Sequence, residues 1–154
     1  MDGKNNQQVQ SDRLLFFGIL LLLVGLISGL FIPVMTNPRM GLSAHLEGMM
    51  NGMLLVIVGL IWNKLIVNKR YLFFSYWLLL YASFANYIAV TIAAITGAGK
   101  MMPISGGKDG PPIIESLISF LLISLSLAMI FACVIILIGL RRYISGHSEK
   151  KISS

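Results

Sequence analysis

Residues 37–52, with the sequence NPRMGLSAHLEGMMNG, decide how many helices the chain can place across a membrane. The chain is 56% hydrophobic and 12% charged, with a mean hydropathy of +0.84, far more apolar than a soluble domain of 154 residues. Apolar runs occur at residues 14–35, 49–62, 71–95 and 113–140. The second run reaches the roughly 20 residues that cross a bilayer only when residues 37–52 extend it toward the N-terminus.

The sequence therefore predicts an all-α polytopic membrane protein, a single domain over residues 1–154 that forms a four-helix bundle. The predicted helices cover about residues 14–36, 38–63, 71–96 and 112–141. Asn37 and Pro38 are a start signal for the second helix, as N-cap and first helical residue. The first apolar run exceeds the roughly 7–15 residues of a signal-peptide core and no cleavage pattern follows it, so we expect it to remain as the first helix.

The net charge of +6 reflects the side of the membrane that each loop occupies and does not indicate nucleic-acid binding. Nine of the twelve basic residues lie in the N-terminal tail, the loop after Trp62 and the C-terminal tail, which alternating helices place on one side. The remaining three, Arg39, Lys100 and Lys108, lie on the other side. The positive-inside rule then predicts that both termini are cytoplasmic and that the loop at residues 96–112 is on the outer face.

Several chemical classes are excluded by what the sequence lacks. Cys133 is the single cysteine, so no disulfide and no cysteine-rich metal site can form within the chain. No Gly-rich phosphate loop, G-x-S-x-G or H-E-x-x-H occurs. No C-x-x-C-H occurs either, so any haem would be bound non-covalently.

The second helix carries three polar residues, His45, Glu47 and Asn51, where lipid disfavours them. His45 is predicted to lie roughly 10 Å below the helix start, at 1.5 Å per residue. Intramembrane ionisable groups indicate function, but each residue also has a structural interpretation. His45 can be a packed, hydrogen-bonded side chain, Glu47 can favour the helix dipole or pair with Arg39, and Asn51 can bond a neighbouring helix. Glu47 and Asn51 are i,i+4 neighbours that can hydrogen-bond each other.

Small residues predict where helices approach closely. We interpret Gly18, Gly25 and Gly29 on the first helix, and Ser124, Ala128 and Ala132 on the fourth, as packing surfaces. On the second helix, Gly48 and Gly52 fall within about 60° of His45, with Met49 on the flank. That face is predicted to receive a flat apolar body against the backbone.

Two further polar sets lie on the third and fourth helices. Ser83, Asn86 and Tyr87 have i,i+3 and i,i+4 spacing and are predicted to form one hydrogen-bonding face. Glu115 follows two prolines and is interpreted as a first-turn cap of the fourth helix. The alternative is that Glu115 faces the same outer cavity as His45.

The stretch at residues 37–52 closely resembles the corresponding segment of bacterial hydroxylaminobenzene mutases, small integral-membrane enzymes that convert hydroxylaminobenzene to 2-aminophenol. More distantly, the chain is similar to styrene oxide isomerase in the order of its motifs: His45, then Asn51 with Gly52, then Asn86, then a Gly/Pro-rich outer loop. The first resemblance is nearly continuous over the stretch, and the second is sparse but follows the chain from the second helix onward. Together they imply an enzyme of the bacterial inner membrane.

The isomerase resemblance implies a homotrimer of four-helix protomers with ferric haem b, an iron cofactor, at the subunit interfaces. His45 matches the axial iron ligand. The predicted cofactor-binding residues are therefore His45, which is also the metal ligand, and its neighbours Gly48, Met49 and Gly52. His147 is predicted to lie in the tail, across the membrane from His45, so His45 is the histidine that could bind the iron. A single axial ligand leaves the sixth iron position open for substrate.

The resemblance also implies the catalytic residues. Asn51 matches a substrate-orienting asparagine, and Asn86 lies in the similar region of the third helix. A tyrosine of the isomerase falls at Val90 here, so Tyr87, almost a turn earlier, is the candidate substitute. The predicted catalytic residues are Asn51, Asn86 and Tyr87.

The predicted function is that of an isomerase of the hydroxylaminobenzene mutase type, with haem as Lewis acid. Its partners would be membrane lipid and a small hydrophobic aromatic substrate, either a hydroxylamine whose oxygen rejoins the ring or an aryl epoxide in which hydride shifts. One alternative is a proton-coupled transporter that uses Glu47 or Glu115, although no inverted repeat is apparent. The other is a non-catalytic haem- or quinone-binding membrane subunit, which a single usable histidine disfavours.

Overall fold

The computed structural model describes residues 2–106 and 108–152, and nearly all of them are helical. The four long helices are α1 (Asp2–Leu30), α2 (Pro38–Ile61), α3 (Lys69–Thr96) and α4 (Pro112–Ile152), with 3₁₀ turns at Ile32–Val34, Trp62–Lys64 and Pro103–Ser105. Within these residues the β-structure is limited to an isolated bridge between Ala98 and Lys108.

Each helix contains a segment that is long and apolar enough to cross a membrane. These segments are Asn6–Leu30, Pro38–Lys64, Lys69–Thr96 and Pro112–Gly146. The predicted all-α class with four candidate membrane helices is therefore confirmed. The side of the membrane on which each end lies stays a prediction.

The helix ends follow local capping chemistry. The Asn37 side chain accepts a hydrogen bond from the Met40 N–H at 3.3 Å, and Pro38 is the first helical residue of α2, as predicted. Asn68 caps α3 in the same way by accepting from the Arg70 N–H at 3.1 Å. Gly97 ends α3 with φ of 76°, a left-handed conformation that glycine adopts without strain.

Two helices are longer than the apolar runs that predicted them. α1 begins at Asp2 and α4 continues to Ile152, whereas the expected bounds were residues 14 and 141. Polar contacts hold the first turns of α1 against the end of α2: Gln7 donates to the Trp62 carbonyl and Ser11 to the Gly59 carbonyl, each at 2.7 Å. Hydropathy detects the segment that crosses lipid and does not detect helix that continues beyond it.

The helices pack in chain order, with α1 on α2, α2 on α3 and α3 on α4. One apolar core lies among α1, α2 and α3, where Leu14, Leu21, Leu55 and Leu79 are fully buried. A second lies toward the start of α2, where Met40 and Ala44 pack with alanines of α3 and with Ile118. Ala128 and Ala132 of α4 are buried, as the interpretation of a packing surface requires.

The outer helices leave much of their apolar surface uncovered. Only 28% of the membrane-crossing window of α1 and 17% of that of α4 is buried. Exposed Leu, Ile and Phe side chains run along both helices. Such faces require lipid or further protein around the protomer.

Candidate active site

His45 is oriented by α1. Its Nδ1 lies 2.8 Å from the carbonyl oxygen of Gly25. Because a carbonyl oxygen only accepts, Nδ1 carries a proton, and in the tautomer of the neutral ring that this bond selects Nε2 has the lone pair. The ring packs against Gly29, where an added Cβ would come within 2.7 Å of Nδ1.

The free nitrogen of this imidazole is open. His45 is half-buried, and its Nε2 makes no hydrogen bond within the described residues. The buried polar atoms that lack a partner there are Ser83 Oγ, Thr91 Oγ1 and Glu115 Oε2, so Nε2 is not enclosed. Met49, one turn along α2, is also half-buried. Within the described residues no cluster of three His, Cys, Asp or Glu side chains could hold a metal ion.

Gly48 and Gly52 do not form an open surface beside His45, so that part of the prediction is wrong for the protomer. A Cβ on Gly48 would lie 2.6 Å from the Cα of Gly25, and one on Gly52 would lie 2.7 Å from the carbonyl oxygen of Gly18. The glycines of α2 are thus covered by the glycines of α1. Two glycine stripes on neighbouring helices permit backbone contact, and this contact uses the space that a ligand would need.

Glu47 joins α2 to α3 through two asparagines. Its Oε2 accepts a hydrogen bond from Asn51 Nδ2 at 3.2 Å and from Asn86 Nδ2 at 2.5 Å. The predicted contact between Glu47 and Asn51 is present, and the contact with Asn86 was not predicted. Glu47 makes no ion pair with Arg39 within the described part of the chain, so that structural interpretation is wrong. Asn51 is buried, whereas Glu47 and Asn86 are half-buried.

The polar face predicted on α3 is divided. Asn86 turns to Glu47, while Ser83 Oγ is buried without a partner. Tyr87 makes no hydrogen bond within the described residues, and its ring edge would lie 3.1 Å from a Cβ on Gly48. Tyr87 lines an open groove of about 450 Å³ between α1 and α3, with Val24, Ser28 and Ile95. Val90 is a buried core residue.

Glu115 holds the loop between α3 and α4. Its Oε1 accepts hydrogen bonds from the backbone N–H groups of Gly110 at 2.9 Å, Gly99 at 3.2 Å and Lys100 at 3.4 Å. The carboxylate is buried, with 7% of the residue exposed, and Oε2 has no partner. Glu115 is therefore an anchor for the loop between α3 and α4, which neither interpretation from the sequence had anticipated.

The polar groups lie on two sides of α2. His45 contacts α1, whereas Glu47 accepts hydrogen bonds from Asn51 and from Asn86 of α3. Gly48 lies between the two sides, where the backbone of Gly25 packs against it. A protomer with this arrangement offers an imidazole on one flank and a carboxylate with two amides on the other.

A model of the styrene oxide isomerase family matches residues 10–141. The chain belongs to this family. It is 46% identical over 127 residues to hydroxylaminobenzene mutase HabA of Ectopseudomonas oleovorans, a match that covers 81% of this chain and 94% of the relative. It is 47% identical over 131 residues to hydroxylaminobenzene mutase HabB of the same organism, covering 84% of this chain and 80% of that one. No solved structure gives a significant match.

Membership of the styrene oxide isomerase family confirms the resemblance from which the function was predicted. The predicted enzyme class, an isomerase, is also the class of both named mutases. The match at residues 10–141 includes His45, the Glu47 cluster and the loop anchored by Glu115. The family assignment therefore covers every polar group of the candidate site.

Proposed function

We propose that this protein is a membrane-embedded isomerase that moves the oxygen of small aromatic hydroxylamines, of the hydroxylaminobenzene type, from nitrogen to the ring. The observation that carries the proposal is the cluster of Glu47, Asn51 and Asn86 between apolar helices, in a chain 46–47% identical to two hydroxylaminobenzene mutases. Aryl epoxides are the second candidate substrates because of the family match. Four apolar helices suit a substrate that partitions into lipid, and the bacterial inner membrane is the proposed location.

His45 suits the role of a residue that would hold the iron of a haem b. Histidines that bind metals usually donate their other ring N–H to a backbone carbonyl or a carboxylate, which fixes the ring and raises the basicity of the ligand nitrogen. The contact between Nδ1 and Gly25 is of this kind and leaves Nε2 open. His45 would hold the iron, with Met49 beside it, whereas Gly48 and Gly52 are occupied by α1. When bound, ferric haem supplies Lewis acidity that weakens the N–O or C–O bond of the substrate.

The amides would orient the substrate. Asn51 and Asn86 each donate one N–H to Glu47, which fixes the orientation of both amides. The second N–H and the carbonyl oxygen of each amide remain for a ligand. A preorganised N–H group stabilises an oxygen on which negative charge develops. The Tyr87 hydroxyl, which has no partner within the described residues, is the other donor that α3 offers nearby.

We propose that the complete site forms between protomers of a homotrimer. His45 and Asn51 lie on different flanks of α2, and the backbone of α1 packs between them. Glu47 lies roughly 14 Å along α2 from Pro38, at 1.5 Å per residue, where an open carboxylate facing lipid is unfavourable. A cyclic assembly in which the His45 flank of one copy meets the Glu47 flank of the next covers both groups.

The activity and the cofactor are tested on the purified protein. Detergent-solubilised protein should convert hydroxylaminobenzene to 2-aminophenol and show a Soret band. His45→Ala should lose the band and the activity, because the neighbouring Met49 thioether is a poor substitute for imidazole on ferric iron. His147→Ala, a histidine on the tail, should keep both. A folded, colourless and active wild type would refute the haem, and an inactive wild type that contains haem would refute the substrate.

The composite site is tested by mixing inactive variants. His45→Ala and Asn51→Ala protomers with different tags should regain activity when purified as mixed assemblies, because some interfaces then pair an intact His45 with an intact Asn51. Mass measurement should show three copies in the complex. Mixed assemblies that stay inactive, or a fully active monomer, would show that each protomer contains a whole site.

A further inference from the structure

Moving oxygen from nitrogen to the ring of a hydroxylaminobenzene also requires that a proton move. The ortho carbon that receives the oxygen already bears hydrogen, and it must lose this hydrogen as a proton for the ring to become aromatic again. The nitrogen must gain one proton to become the amine of the product. An epoxide isomerisation in which hydrogen shifts with its electron pair needs no group that takes up and returns a proton. This inference rests on the proposed function.

Glu47 is a carboxylate at the contact between α2 and α3. Its Oε2 is held by Asn51 and Asn86, and its Oε1 makes no hydrogen bond within the described residues. Because Glu47 is half-buried and Oε1 is not among the enclosed atoms without a partner, this oxygen is accessible. The same two amides that would orient the substrate therefore also aim one free carboxylate oxygen.

The contacts of Glu47 differ from those of a structural carboxylate in this protein. Glu115 is buried and uses one oxygen on three backbone N–H groups. Among the described residues, Glu47 accepts hydrogen bonds only from side chains, and these are the two amides to which a substrate-orienting role was assigned. Hydrogen bonds from the two amides fix the position of the carboxylate and leave Oε1 open to a substrate.

We propose that Glu47 is the proton carrier of the isomerisation. The N–O bond breaks with its electron pair leaving on oxygen, and the oxygen, still carrying its hydrogen, forms the bond to the ortho carbon with a lone pair. Oε1 of Glu47 takes the proton from that carbon, and the C–H electron pair returns to the ring. Glu47 then gives the proton to nitrogen. Atoms and electrons balance within the substrate, and the carboxylate is regenerated.

Two substitutions separate carrying a proton from positioning the amides. Glu47→Gln keeps a side-chain oxygen that accepts from Asn51 and Asn86 but cannot take up a proton. Glu47→Asp keeps a carboxylate but places it on a side chain that is one methylene shorter. General acid–base catalysis contributes about 10²–10⁴-fold to a rate, so Glu47→Gln should lower kcat by at least about 10²-fold with little change in KM. Glu47→Asp should be more active than Glu47→Gln.

The experiment compares hydroxylaminobenzene with its 2,6-dideuterated form in the wild type and in both variants. Loss of the carrier makes cleavage of the ortho C–H bond limiting, so the isotope effect on kcat should be larger in Glu47→Gln than in the wild type. A Glu47→Gln protein with the wild-type kcat, or one that loses activity without any rise in the isotope effect, would overturn the inference while the proposed function stands. If Glu47→Gln does not fold, an unchanged isotope effect in Glu47→Asp overturns it instead. An inactive wild type would overturn both proposals together.

Discussion

Asn51 donates one amide hydrogen to Glu47. Its other N–H and its carbonyl oxygen have no hydrogen-bond partner among the described residues. The residue is buried, with 7% of its surface exposed. Its carbonyl oxygen is not among the enclosed polar atoms that lack a partner, so a ligand can reach this amide. A substrate-orienting role therefore suits Asn51.

Asn51→Ala should leave haem content unchanged and lower kcat by about 10²–10³-fold, the usual effect of removing one donor to a developing oxyanion. The absorption spectrum and the turnover of hydroxylaminobenzene measure the two quantities separately. Asn63→Ala is the matched control, because Asn63 is an exposed asparagine whose partner is Gln8. An Asn51→Ala protein that turns over at the wild-type rate would remove Asn51 from the proposed site.

Among whole elements, α1 and α2 approach each other closely enough for their backbones to touch. A Cβ on Gly52 would lie 2.7 Å from both the Gly18 carbonyl oxygen and the Leu22 nitrogen. These atoms belong to the backbone of α1 and cannot turn aside as a flexible side chain would. α1 and α2 must therefore move apart to admit even one methyl group.

Gly52→Ala should destabilise the protein by about 1–3 kcal/mol, the usual cost of overpacking, although alanine favours a helix by about 1 kcal/mol over glycine. Thermal unfolding in detergent, followed by circular dichroism, measures the change in Tm. Gly146→Ala is the matched control, because nothing lies within 4 Å of an added Cβ at Gly146. It should leave Tm unchanged or raise it. A Gly52→Ala protein as stable as the Gly146→Ala protein would contradict the close contact.

The loop between α3 and α4 depends on one carboxylate. Glu115→Ala removes the acceptor of three backbone N–H groups, each hydrogen bond contributing about 1 kcal/mol. Trypsin should then cleave several-fold faster after Lys100 and Lys108, which lie in this loop. Asp109→Ala, an exposed carboxylate with no hydrogen bond among the described residues, should be cleaved at the wild-type rate. Equal cleavage of the two variants would mean that Glu115 does not anchor the loop.

Contacts within an element were predictable from sequence spacing, and contacts between elements were not. The Asn37 cap and the pair of Glu47 and Asn51 depend on residues three or four positions apart, and both are present. The bond from Asn86 to Glu47 spans 39 positions and depends on how α3 rotates against α2. In the same way, the sequence shows glycine stripes on α1 and α2 but not that each covers the other.

At the scale of the whole molecule, the orientation in the membrane is predicted from the distribution of positive charge. Ile104 lies in the loop between α3 and α4, and Lys64 lies at the opposite end, after α2. Both residues are exposed. The positive-inside rule predicts that Lys64 is cytoplasmic and that Ile104 is outside.

Single cysteines at these two positions test the orientation. In a Cys133→Ser background, because Cys133 is exposed, a membrane-impermeant thiol reagent added to intact cells should label Ile104→Cys and spare Lys64→Cys. Permeabilised cells should label both. Labelling of Lys64→Cys alone in intact cells would invert the topology.

Four helices could be predicted from the sequence because length and hydropathy are properties of each segment alone. The separation of His45 from Asn51 could not, because both lie on α2 with Gly48 between them and only the position of α1 decides what fills that gap. The role of Glu115 was missed because its partners are backbone N–H groups in a loop, and no residue type signals such a contact.

The carbonyl oxygen of Gly25 has a consequence for the order in which the protein is made. It bonds His45 Nδ1 and also Ser28 Oγ, and Gly29 limits the ring on the same side. All of these groups belong to α1 and α2, which leave the ribosome first and can associate as an inserted hairpin before α3 exists. The contacts that orient the imidazole therefore need only α1 and α2, whereas the contact between Glu47 and Asn86 needs α3 as well.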